Sequence, residues 1–132
     1  MDTMTSTSEY SPLVRELFAH PRASGVIEGA ERGVVHGEAG SIDAGTWVRL
    51  HLQLDNDGRV THARFQAYGC PHTLAAAAWL AEHLPGRRAG DALPEGAQGL
   101  ARILEVPDSK LGRLLIVEDA LREALRRWRP AV

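Results

Sequence analysis

A chain of 132 residues, 44% hydrophobic and 24% charged, is long enough to bury a core without crosslinks and too ordinary in composition for a disordered or collagen-like polymer. Its formal charge of -2 argues against a general nucleic-acid binder, which needs a basic surface to meet phosphate. A single cysteine excludes an intrachain disulfide, and no apolar run is long enough to span a bilayer.

The opening MDTMTSTSE lacks the hydrophobic stretch of a signal peptide. The expectation is a loose polar tail over residues 1–9, a single domain over residues 10–132, and residence in a reducing cytoplasm with no membrane attachment.

Ser11 followed by Pro12 reads as an N-cap and first helical residue, and Leu13, Val14, Leu17 and Phe18 recur at helical spacing as far as His20-Pro21. From Pro21 to Gly45 glycine is frequent and periodicity weak, so a loop is expected, with Val34-Val35 as a brief edge strand. Val48, Leu50, Leu52 and Leu54 alternate with Trp47, Arg49, His51 and Gln53, the period of a half-buried strand. Asp55-Asn56-Asp57-Gly58 is turn chemistry, and Val60 to Tyr68 alternates again with Ala63, Phe65 and Ala67 on one face, which predicts a hairpin.

Thr73 to Leu84 is an alanine-rich helix stopped by Pro85-Gly86, its small side chains suited to close packing. Arg87 to Gly96 reads as loop and Ala97 to Leu104 as a short helix. Asp108 or Ser109 is then expected to cap a last helix with an apolar stripe of Leu111, Leu114, Leu115, Leu121, Leu125 and Trp128, supported by Glu118–Arg122 and Glu123–Arg127 pairs at i,i+4. The fold class is α+β: a small three-stranded antiparallel sheet with helices packed mainly on one face.

The lone cysteine stands in Gln66-Ala67-Tyr68-Gly69-Cys70-Pro71-His72-Thr73, where a strand gives way to a helix. Amide N–H groups and the helix dipole at such a corner favour thiolate, which suits Cys70 to be a nucleophile or a metal ligand. The plainer reading is a small buried residue filling the turn. His72 makes a Cys-x-His pair with it, yet zinc wants four ligands, and no CxxC or histidine cluster completes the set; alone, His72 reads as a solvated loop residue.

From this corner outward the chain resembles the IscU/NifU-type iron–sulfur cluster assembly scaffold family. QAYGCPHTLAAAAWLAEHL is similar to that family's Tyr-Gly-Cys segment and following helix. Tyr10-Ser11 leading to His20-Pro21-Arg22 and Gly25 resembles its opening helix and Asn-Pro-Arg-x-x-Gly. Val117-Glu118-Asp119-Ala120 resembles the Ala-Glu-Asp-Ala of its closing helix.

The resemblance implies a protein that holds a nascent [2Fe-2S] cluster or a metal ion on three cysteines and an aspartate, after receiving sulfur from a cysteine desulfurase. Cys70 matches the middle cysteine. The first falls at Ala44-Gly45-Thr46 counting back from Val48, or at Ser41-Ile42-Asp43 following Gly37, and neither register holds a cysteine. The third falls at Arg113, and the chaperone-binding Leu-Pro-Pro-Val-Lys is reduced to Val106-Pro107-Asp108-Ser109-Lys110.

The metal candidates implied are Cys70, Asp43 and His72, with an iron–sulfur cluster or zinc held weakly, held only by a dimer, or absent. Arg113, in place of a ligand thiolate, is a candidate stabiliser of an anion or persulfide at Cys70, against the plain reading of a surface arginine. The first functional reading is non-enzymatic: a sulfur acceptor or carrier through Cys70, or a dimer sharing a cluster, with a cysteine desulfurase or other iron–sulfur assembly proteins as partners and a monomeric or homodimeric state. The second is a metal-free regulatory or partner-binding module on the same fold. A thiol enzyme ranks last, since an i,i+2 Cys-His pair across a proline rarely places a base in reach.

Overall fold

Alternation places Val48, Leu50, Leu52 and Leu54 on one face of β2 (Thr46–Leu54), and all four are buried. In the computed structural model, which describes residues 10–29 and 32–130, β2 is the centre of a three-stranded antiparallel sheet between β1 (Val34–Ser41) and β3 (Val60–Tyr68). The tail expected at residues 1–9 lies outside the described residues. The register sets Leu50 between Gly37 and Phe65, and Leu52 between Val35 and Ala63, so one apolar face runs across all three strands. Each fully buried leucine there contributes about 1.5–3 kcal/mol.

Two long helices cover that face and two shorter ones pack on them. Ser11 caps α1 (Pro12–Ala19), its Oγ accepting from the amide of Val14 at 3.2 Å and donating to the carbonyl of Leu104 at 2.8 Å. α2 (Pro71–His83) lies on β3 and β2, and its alanines 75–78 are all buried. α3 (Gly96–Leu104) packs on α4 (Leu111–Arg127), which lies across β1 and β2 and touches α2. This is the α+β arrangement expected.

Several local expectations change. β1 is a full eight-residue strand rather than a Val34-Val35 fragment. Its inward positions Val35, Gly37 and Ala39 are small because α4 comes so close: a Cβ on Gly37 would overlap Ala120 O and Ala124 N. α2 begins at Pro71 rather than Thr73, because proline is already suited to its first position.

Neither Asp108 nor Ser109 caps α4; both lie in a 3-10 turn, Asp108–Lys110, that leads into it. The stripe along α4 is also rotated. Leu115 is 46% exposed, and the buried positions are Leu114, Val117, Glu118, Ala120, Leu121 and Ala124. The Glu118–Arg122 and Glu123–Arg127 pairs do form.

Candidate functional site

The strand-to-helix corner requires glycine at position 69. Its φ is +150°, and a Cβ would sit 3.2 Å from Thr73 Oγ1 and 3.4 Å from the Gly45 carbonyl oxygen. Cys70 follows as the extended N-cap of α2 (φ -76°, ψ 167°), with Pro71 in the first turn. Its thiol is half-buried and lies 3.7 Å from Thr73 Oγ1.

Burial pushes the Cys70 thiol up, but the Thr73 amide and hydroxyl, the His72 amide and the Arg113 guanidinium together bring it below the ordinary thiol value. Arg113 sits in the first turn of α4, half-buried. The hairpin loop between β1 and β2 completes the surroundings. Ser41 pairs with Thr46 to close it, the Ser41 Oγ accepts from the Ala44 amide at 3.1 Å, and Asp43 and Ala44 are exposed. Gly45 presents its carbonyl to the corner. Three segments far apart in sequence therefore converge: the loop, the Gly69-Cys70 corner and the start of α4.

The sequence candidates separate on this geometry. Arg113 is near enough for its charge to favour the Cys70 thiolate. His72 is no solvated loop residue: it lies in the first turn of α2, is 2% exposed, and packs its ring against Tyr10 at 4.8 Å between centroids. Burial under the start of α1 occupies the imidazole as packing. Among the described residues no group of three His, Cys, Asp or Glu side chains is gathered to hold a metal ion, so Cys70, Asp43 and His72 do not come together as a ligand set.

Thr73, whose hydroxyl lies against the Cys70 sulfur, is not marked as a site residue by its sequence pattern. Nothing in either segment announces the contact between Tyr10 and His72.

A one-thiolate corner can attack an electrophilic sulfur or donate one metal bond. It does not supply the usual four thiolates of an iron–sulfur cluster, nor the four ligands of structural zinc.

The family model for the NifU-like N terminal domain matches residues 9–131. The chain is 29% identical over 93% of its length to the iron–sulfur cluster assembly protein IscU of Plasmodium falciparum, covering 75% of that protein. It is 27% identical over 88% of its length to the Escherichia coli K12 scaffold protein IscU, covering 91% of it. It is 32% identical over 92% of its length to the nitrogen fixation protein NifU of Nostoc sp., but spans only 42% of that longer chain. A solved structure from Fervidobacterium islandicum AW-1, provisionally described as an iron–sulfur cluster assembly scaffold protein for the SUF system, superposes with a TM-score of 0.74 over 91% of this chain and 98% of its own. At 20% identity that likeness shows the fold alone.

Proposed function

Because the chain belongs to the NifU-like N-terminal domain family, we propose that it serves iron–sulfur cluster assembly as a sulfur acceptor and carrier, with Cys70 taking sulfur from a cysteine desulfurase. The observation that carries this reading is the acidified Cys70 thiol at the N-terminus of α2, beside the Arg113 charge.

The transfer balances without an external redox partner. The Cys70 thiolate attacks the outer sulfur of a persulfide on the donor; that donor S–S bond breaks, its electron pair leaves with the donor thiolate, and a new S–S bond forms on Cys70. The proton of the transferred S–H is lost to solvent, and the resulting anionic persulfide is held by Arg113 and the α2 amides. A reducing compartment such as the cytoplasm keeps Cys70 ready for each cycle.

A cluster carried as cargo would need a second chain, because each chain brings one thiolate. The alternative, a metal-free module that occupies the desulfurase or another assembly protein, is favoured by one observation. Where the family places cysteines in the β1–β2 loop and at the start of the last helix, this chain has Ser41 to Thr46 and Arg113.

The test is incubation of the whole protein with a cysteine desulfurase and cysteine, followed by intact-mass spectrometry. One added sulfur on Cys70, lost in Cys70→Ser, slowed in Arg113→Ala and unaffected in Asp43→Ala, is the expected result. Failure of any desulfurase of the same cell to load the protein overturns the carrier reading. Desulfurase inhibition that survives Cys70→Ser would then establish the regulatory one. His72→Ala is no control, since it empties a packed site beneath Tyr10.

A further inference from the structure

A groove of about 690 Å³ lies at the end of β3 away from Cys70, between the C-terminal half of α2, the segment after it and α3. The segment Gly86 to Ala89 is zipped to the start of β3: Gly86 donates to Val60 O at 2.7 Å, Val60 donates to Arg87 O at 2.9 Å, and Ala89 donates to Gly58 O at 2.8 Å. Arg59 and Arg88 are bridge partners across this pairing.

That frame holds a group of cations against the grain of an acidic chain. Arg59 donates to the carbonyl of Gly86 at 2.9 Å and Arg87 to that of Ala92 at 3.2 Å. None of the ion pairs among the described residues involves Arg59, Arg87 or Arg88. Two carboxylates share the groove, and Glu95 is already paired with Arg102, which leaves Asp91 alone against three guanidinium groups.

The remaining walls decide what the cations are for. Trp79 is only 9% exposed, with His83 stacked on its ring at 4.0 Å and the Arg87 guanidinium 5.9 Å from its centroid, so it has no face left for a nucleobase. The apolar surface offered outward is aliphatic instead: Ile103, 45% exposed, with Leu93 and Pro94 beside it. We propose that this groove docks an acidic peptide segment of a partner protein, an aliphatic side chain seated against Ile103 and Leu93 and carboxylates on either side reaching Arg59 and Arg88. The Arg59 guanidinium, already held on the Gly86 carbonyl, loses little freedom on meeting a carboxylate, Arg88 is exposed beside it, and charge complementarity sets register and selects the partner.

The experiment titrates the isotope-labelled whole chain with a capped peptide alternating Glu-Asp pairs with Leu, followed by NMR. Saturable shifts are expected at Arg87 to Asp91, Gly99, Ile103 and the Trp79 indole N–H. Binding should weaken with added salt, by about tenfold in Arg59→Glu/Arg88→Glu, and also in Ile103→Asp, with the rest of each spectrum unchanged. Cys70→Ser should bind as the parent does, which separates this proposal from the sulfur-carrier reading. Absence of saturable shifts at millimolar peptide overturns the proposal, as does equal binding of the Lys-for-acid peptide. Full competition by inorganic phosphate or ATP would make the groove an anion site and overturn it too.

Discussion

The carboxylate of Glu118, halfway along α4, accepts the amide N–H of Ala97 at 2.9 Å and so caps α3 from another helix. Glu118 is 9% exposed, and its second oxygen holds Arg122. Gly96, at φ +62°, leaves room for it, since a Cβ there would lie 3.0 Å from Glu118 Oε1. Glu118→Ala should cost about 1–3 kcal/mol in urea unfolding, because an amide at a buried helix end is left without its acceptor. Glu118→Gln, which keeps an acceptor but not the charge, should cost less; equal losses would mean that charge alone matters.

Cys70 should react with an alkylating agent at a pH midpoint below that of free cysteine, and Arg113→Gln should raise that midpoint by removing a nearby positive charge. Because the folded state lowers this thiol, it binds its proton less readily than the unfolded chain. Its stabilising contribution is therefore complete above the unfolded value and fades as pH falls through the folded one. The stability difference between the parent and Cys70→Ser should accordingly grow as pH rises through the thiol range, and a flat difference contradicts the assignment.

Gly37→Ala should destabilise the protein by about 1–3 kcal/mol or more, since its Cβ would stand 2.8 Å from Ala124 Cα and overlap neighbouring backbone, which cannot swing aside as a side chain can. Thermal unfolding measures this. Gly45→Ala, with nothing within 4 Å of its Cβ, provides a comparison in which steric overlap is absent but the strain of φ +92° remains.

Burial, then the positive charges of Arg49 and Arg127 and the adjacent His51, hold the His36 imidazole below its ordinary value against an opposing pull from Glu38. The unfolded chain therefore takes up this proton first as pH falls. Stability should drop as the pH passes down through the ordinary imidazole range, and His36→Gln should flatten that part of the profile. Proton NMR of the His36 ring should show a midpoint below that of a free histidine; one at or above it refutes the assignment.

Much of this architecture is readable along the chain, where side-chain period and burial coincide. β2 and β3 announce themselves because Val48 to Leu54 and Ala63 to Ala67 alternate in size and polarity, and Ser11-Pro12 marks the start of α1 by local chemistry alone. β1 is not readable beyond Val35, because the close approach of α4 calls for Gly37 and Ala39, which carry little hydrophobic signal. The candidate site divides similarly. The Cys70 corner is local and legible, whereas the approach of Arg113 follows only from likeness to a family, and the burial of His72 depends on Tyr10, a residue from the far end of the chain. Leu115 reads as core in any helical count, and only the docking of α4 turns it outward.

Arg113 lies in the last helix, and that helix rests on the first strand. During synthesis β1, β2, β3 and α2 leave the ribosome before α4 exists, so a nascent chain carries Cys70 with its local amides but without its distant cation. The Arg113 contribution to lowering the Cys70 thiol is present only once α4 is docked, a contact between residues more than forty apart in sequence. A chain interrupted before α4 keeps the amides and hydroxyl of its own corner around Cys70 but lacks the Arg113 charge.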